Sequence, residues 1–300
     1  MAGWNRDRMG RAGGRSGPSG RGRRAAVGRG IAGVLLLALL CGGCTGAPEG
    51  TSAATASPTP SPTVTPTPAP TPTPTPIPTP TPTPLPLAGA VICVDPGHCV
   101  TPETGKGHRE LVSPLSDETK PLYTTGTSGA NLTEEKLNLS VGLQLRDALE
   151  ALGAQVVMTR EVSEITISGI ERCEIAHEAG ADVAVRIHAD GSTDPSVHGV
   201  SVLIPAGDLL GTPSIVESST RLGELMVDAV AARTGAKNLG TIPRTDMTGF
   251  NFSEIPTVLI EMGFMTNAQE DANLEQAEYQ AQIVDGMVQA ILEWYGVQSA

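Results

Sequence analysis

Residues 90–98 read AVICVDPGH. Five consecutive apolar residues end in an acid, a tight Pro-Gly turn and a histidine, the pattern of a buried strand whose polar tip lies at its carboxyl end. The same grammar repeats outward from this stretch. LNLSVGLQLRDALEAL (137–152) places Leu137, Val141, Leu145 and Leu149 four residues apart, so they share one helical face. Gly153 stops that helix, and AQVVMTR (154–160) reads as the next strand. ISGIERCEIAHEAG (167–180) follows as a helix, then DVAVRIHAD (182–190) and VHGVSVLIP (197–205) as strands, and 214–235 as a long helix. PTVLIEMGF (256–264) is a further buried strand, and a helix from about Glu275 to Trp294 closes the chain. Strands alternating with helices of this length predict an α/β fold: an open, mostly parallel or mixed twisted sheet with helices on both faces.

This pattern covers only the carboxyl-terminal 210 or so of 300 residues. Residues 1–44 are a basic leader ending in an apolar segment. Eight arginines lie in the first 30 positions, opposed only by Asp7, and Ile31–Leu40 (IAGVLLLALL) carries no charge. Ten apolar residues match the core of an export signal and fall well short of the roughly 20 that span a bilayer. The run ends in LLCGGC, where small residues precede Cys44, and this predicts a lipoprotein signal with a lipid anchor on Cys44; cleavage for secretion and an uncleaved anchor are the alternatives. Residues 45–87 form a Thr/Pro-rich linker. Pro58–Pro86 holds 14 prolines in 29 residues, a semi-rigid polyproline-II spacer able to reach on the order of 90 Å. Residues 88–300 are the folding domain.

Charge and cysteine usage exclude several classes. The whole chain is at −12, and beyond residue 87 there are 12 Lys plus Arg against 30 Asp plus Glu. Nucleic-acid binding needs the opposite balance, so no nucleic-acid partner is expected. Five cysteines, at 41, 44, 93, 99 and 173, are too few and too irregular for a disulfide framework or a four-cysteine zinc site. A Cys99–Cys173 bridge is the one pairing worth testing.

In open α/β sheets, ligands bind beyond the carboxyl ends of the strands. Three such ends carry His98, His188 with Asp190, and Glu261, and a carboxylate at Glu134 or Glu135 opens the first helix. Two histidines and a carboxylate from separate segments suit a catalytic zinc site, with Glu261 placed as a nearby base. Each also has a plainer reading: strand-end histidines, and an acid favoured at a helix amino terminus.

The segment 90–300 resembles the zinc-dependent N-acetylmuramoyl-L-alanine amidases of bacterial cell walls, the family called amidase type 3. The resemblance runs through VICVDPGH, EEKLNL, GAQVVMTR, ERCEIAHEAGAD, VRIHAD and PTVLIEMGFMTN, in family order. It implies one Zn2+ per catalytic domain held by His98, Glu135 and His188, with Glu135 favoured over Glu134 because Lys136 and Asn138 follow it as in the family pattern. It implies Glu261 as catalytic base, peptidoglycan as substrate and a place in the cell envelope outside the cytoplasmic membrane. The resemblance gives no sign of an oligomer, so a monomer is expected, and whether a protein activator is needed stays open. The chain departs from the family at Cys99-Val100, where a glycine pair is usual. It departs again at Arg186 and Asp190 around His188, and at His177. A non-catalytic or partner-activated peptidoglycan-binding regulator, and a different zinc peptidase of wall peptides, are the alternatives. Within the long segment 99–133, a lid or an inert insertion, His108, Arg109 and Lys120 are candidates to meet acidic stem-peptide groups.

Overall fold

A computed structural model describes residues 84–100, 107–122, 126–207 and 213–297. The leader, Cys41, Cys44 and all but the last four residues of the linker lie outside the described residues, so the export signal and the lipid anchor are not addressed by it. No described helix is long and apolar enough to cross a membrane.

Six strands form one mixed sheet: β1 (Val91–Pro96), β4 (Gln155–Met158), β5 (Val183–Asp190), β6 (Val200–Pro205), β7 (Asn238–Arg244) and β8 (Thr257–Phe264), in the order β4-β1-β5-β8-β6-β7. Only β6 and β8 pair antiparallel; β6 is parallel to β7, and the remaining neighbours are parallel. One face is covered by α1 (Glu134–Ala151), α3 (Pro213–Thr234) and α6 (Ala277–Trp294), whose inward residues Val141, Leu222 and Met287 join Val94, Val185 and Ile260 in the main core. The other face carries α2 (Gly169–Glu178) and the short α4 (Thr248–Asn251) over Cys93, Ala184 and Leu259. The domain is thus the α/β sandwich that strand-helix alternation predicts.

The core begins slightly earlier than composition suggests. Leu87 is buried and its N–H bonds the Leu152 carbonyl at the end of α1. Helix α2 starts with a full capping box, Ser168 Oγ accepting from Glu171 N–H while Glu171 accepts from Ser168 N–H.

Some elements have no periodic pattern in the sequence. A hairpin, β2 (Arg109–Leu111) with β3 (Thr119–Pro121), lies inside the segment 99–133. Its Glu110 carboxylate accepts from Gly169 and Ile170 N–H at the start of α2, and Thr248 and Asn251 of α4 donate to the carbonyls of Leu111 and Val112. The helix α5 (Ala268–Leu274) is capped by Asn267 Oδ1.

The strand order locates the site. From β1 the chain passes through α1 to β4 on one side, then returns to β5 on the other side of β1. That reversal makes a crevice between the carboxyl ends of β1 and β5, where ligands sit in open α/β sheets.

Candidate active site

His98 follows β1 through Gly97, and His188 projects from β5. Their rings meet edge to face with centroids 4.8 Å apart. Close approach is possible because residue 97 has no side chain: a Cβ there would sit 2.1 Å from His188 Nε2. His98 itself takes a left-handed backbone, φ 57°, which a non-glycine residue holds only when the surroundings fix it. Two buried guanidinium groups do so by gripping the turn's carbonyls. Arg160 donates to Pro96 O and Gly97 O, and Arg172 to Pro96 O and His98 O. Beneath them Asp95 pairs with Arg172, accepts from Thr159 Oγ1 and lies 2.8 Å from Arg186 Nε. Burial alone would raise the Asp95 pKa, but Arg172, Arg186 and the Thr159 hydroxyl outweigh it and hold the carboxyl well below the usual range.

The third member of the cluster is Glu134. Its Oε1 lies 3.0 Å from both His98 Nε2 and His188 Nδ1, and the three donor atoms fall within 4.8 Å of one another. The expectation of Glu135 in this place is therefore corrected. Glu135, one residue and about 100° further round α1, accepts from the Thr133 hydroxyl instead. The signal was present in the sequence: Glu134 stands three residues before Leu137 and seven before Val141, in phase with the inward stripe, whereas Glu135 is out of phase. Glu134 is also locked, its Oε2 accepting from Thr127 N–H and its Oε1 from Asn138 Nδ2 and Ala189 N–H. Burial pushes its pKa up, yet the contacts to His188 and His98 prevail and keep it ionised. His188 is pushed down to about 4, first by burial and then by His98, so its imidazole is neutral at pH 7.

Glu261 on β8 is the Cα partner of His188 across the sheet. With His98, Glu134, His188 and Asp190 it lines an open cleft of about 490 Å³. Its Oε2 is enclosed and has no hydrogen-bond partner among the described residues. Burial, followed by the nearby Asp190 and Glu134 charges, raises its pKa well above the ordinary glutamate value.

The cluster fits a metal ion by its donor set, neutral imidazole nitrogen and anionic oxygen. It fits by spacing as well, since ligands on tetrahedral bonds of about 2.0 Å lie roughly 3.3 Å apart. The second ring nitrogen of His188, Nε2, is buried with no partner among the described residues.

Other expectations resolve differently. Arg186 pairs with Asp95 across the β1–β5 register, and Asp190 Oδ1 accepts from Gly191 N–H. Cys93, Cys99 and Cys173 are buried free thiols, so no Cys99–Cys173 bridge forms. Arg109 folds onto Thr119 of its own hairpin. His177 accepts from Glu254 N–H, and His198 sits beside Ser196 O, away from the cluster.

The crevice between the parallel strands β1 and β5 thus holds a His-Glu-His cluster that could bind a metal ion, beside an enclosed glutamate. The profile of the N-acetylmuramoyl-L-alanine amidases matches residues 92–293, and the chain belongs to that family. Rv3717 of Mycobacterium tuberculosis, an N-acetylmuramoyl-L-alanine amidase, is 26% identical over 216 residues, covering 71% of this chain and 89% of its own. AmiA of Escherichia coli K12, likewise an N-acetylmuramoyl-L-alanine amidase, is 25% identical over 208 residues, 57% of this chain and 72% of its own. Among solved structures, the amidase Ami1 of Mycobacterium smegmatis superposes with a TM-score of 0.64 at 27% identity, over 71% of this chain and 99% of that one.

Proposed function

We propose that this chain hydrolyses the amide between the lactyl group of N-acetylmuramic acid and the L-alanine of the peptidoglycan stem peptide, outside the cytoplasmic membrane. The observation that carries the reading is the convergence of His98, Glu134 and His188 beside Glu261 in one cleft, in a chain whose family bears that activity in its name. The two histidines and Glu134 would hold zinc. When bound, zinc polarises the scissile carbonyl, lowers the pKa of a water and offsets the negative charge around Glu261.

The chain's own residues do the rest. Glu261, which lines the cleft, takes a proton from the attacking water and passes it to the departing alanine nitrogen, which cannot leave as an anion. A carboxylate whose pKa burial raises above the ordinary glutamate value holds a proton more readily, which suits both halves of that exchange. Glu134, fixed by Thr127, Asn138 and Ala189, presents its oxygen without reorganisation. Arg160 and Arg172 hold the carbonyls of the 96–98 turn, so His98 stays aimed at the cleft. Tethering by a lipid on Cys44 and extension through the Thr/Pro-rich linker would carry the domain into the wall.

Mass spectrometry of products from defined muropeptides tests the reading. Free stem peptide beginning in L-alanine, together with intact muramoyl sugar, is expected; unchanged muropeptide from folded, zinc-loaded protein would count against it and favour a wall-binding regulator.

A further inference from the structure

Glu134 opens α1 at the base of a small hairpin, residues 127–134. Ser128 and Thr133 face each other in an antiparallel bridge, and Gly129 N–H bonds Leu132 O, which leaves Ala130 and Asn131 as a two-residue tip. At the base the two ends hold one another: Thr127 N–H donates to Glu134 Oε2 at 2.7 Å, and Glu134 N–H donates to Thr127 O at 3.1 Å. The tip is held from outside. Ala130 N–H donates to Asp271 Oδ2 at 2.8 Å and Asn131 Nδ2 to Glu275 Oε1 at 3.0 Å, so both tip residues are tied to partners 141 and 144 residues further along the chain, in α5 and at its end. We propose that Asp271 is a positioning residue for Glu134: by clamping the hairpin tip to α5 it fixes the Thr127 N–H on Glu134 Oε2, and thereby sets the orientation in which the carboxylate meets His98 and His188. The inference rests on the reading of those three residues as the zinc centre and adds to it a residue that touches none of them.

The surroundings of Asp271 single out this contact. The residue is buried, 6% exposed, and the burial is costly, because Oδ1 has no hydrogen-bond partner among the described residues. Helix α5 does not need Asp271 as a cap, since Asn267 Oδ1 already accepts from Gln269 and Glu270 N–H. The neighbouring Glu270 has a separate task, accepting from Gly199 N–H and Phe264 N–H to join the start of β6 to the end of β8. What the burial of Asp271 secures is the bond from Ala130 N–H. The fit is close, because a Cβ on Gly129 would collide with Asp271 Oδ1. Gly129 is not among the glycines with positive φ, so it supplies room here and not an unusual backbone.

The base of the hairpin is packed as closely as the tip. A Cβ on Gly126 would collide with Glu134 Oε2, and one on Gly191, just past β5, would sit 2.6 Å from Thr127 Oγ1. The hairpin is thus wedged between the end of β5 and α5. A close-packed element with no slack at either end passes a displacement of its tip to its base instead of absorbing it.

The test compares the full chain with its Asp271→Ala, Asp271→Asn and Gly129→Ala variants, by amide hydrogen exchange in the metal-free protein and by zinc affinity in competition with a chelator. Asp271→Ala removes the clamp, so the Thr127 amide should exchange on the order of 10-fold faster, beyond any change at the core amide of Ile260; that is the effect of one lost buried hydrogen bond on local opening. Zinc should bind on the order of 10-fold more weakly. Asp271→Asn keeps an oxygen for Ala130 N–H and should restore both values, which a general loss of packing would not allow. Gly129→Ala should reproduce the loss from the other side of the contact. Combined with Asp271→Ala it should add little, because the carboxylate it strikes is gone. Should Asp271→Ala fail to fold, Gly129→Ala and Asp271→Asn carry the comparison. Equal acceleration at Thr127 and Ile260, an unchanged Thr127 amide or unchanged zinc affinity in a folded Asp271→Ala or Gly129→Ala, or an Asp271→Asn as impaired as Asp271→Ala, overturns the inference. A wild-type chain that binds no zinc sinks the zinc reading instead, and the exchange comparison still decides whether Asp271 fixes Glu134.

Discussion

His188 on β5 and Glu261 on β8 are Cα partners in parallel register, so a candidate metal ligand and the candidate base arrive side by side on neighbouring strands rather than on loops. Rigid strands fix their separation more tightly than a loop would. The arrangement also stores a cost, because Glu261 is enclosed near Asp190 and Glu134 with one oxygen unpartnered.

That cost gives a prediction with a sign. In the folded, metal-free chain Glu261 titrates above its unfolded value, so it keeps its proton after the unfolded state has lost its own. Stability therefore falls as pH rises from the ordinary glutamate range up to the raised folded value. Glu261→Gln removes the penalty. Thermal unfolding of the metal-free protein should shift upward by a few degrees at pH 7 and by much less at pH 4, while turnover is lost. An equal shift at both pH values would show that ionisation of Glu261 is not the source.

Asp95 behaves in the opposite sense. Its pKa is depressed by Arg172 and Arg186, so its contribution is present above the unfolded value near 4 and is lost as pH falls below it. Asp95→Asn leaves two buried guanidinium groups without their anion and should cost about 3–5 kcal/mol. Urea unfolding at pH 7 measures this, and a loss below about 1 kcal/mol would mean that water or backbone carbonyls satisfy both arginines.

Gly97→Ala tests the close approach at the cluster. The added Cβ would sit 2.1 Å from His188 Nε2, forcing the ring away from Glu134. Zinc affinity should drop on the order of 10- to 100-fold, the usual effect of disturbing the groups that orient metal ligands, with the far-ultraviolet circular dichroism unchanged. Wild-type affinity in this variant would show that the histidine ring has room to move.

Much of the sheet was legible in sequence because it is buried on both faces: Ile92–Val94, Val183–Val185 and Val258–Ile260 are unbroken apolar runs, and such runs have few readings other than a central strand. Strand β7, by contrast, is NLGTIPR, an edge strand containing Gly240 and Pro243, and its composition reads as a loop. The β2–β3 hairpin escaped because three-residue strands have no periodicity; it exists through long-range ties from Glu110 to α2 and from α4 to Leu111 and Val112. At the site, His98, His188 and Glu261 stood out as polar ends of apolar runs. Between Glu134 and Glu135 the motif's spacing points to Glu135, whereas helical phase points to Glu134, the one that meets the two histidines. The carbonyl-gripping roles of Arg160 and Arg172 depend on packing between segments up to 76 residues apart, which no local pattern encodes.

The identity of the acidic member of the cluster is the most exposed part of the account, and metal content decides it. Glu134→Gln and Glu135→Gln full-length proteins, each loaded with zinc and dialysed, should differ sharply by elemental analysis. Glu135→Gln is expected to retain one zinc per chain, and Glu134→Gln to retain almost none. One zinc retained in Glu134→Gln and lost in Glu135→Gln would contradict the His98, Glu134 and His188 centre and the mechanism built on it.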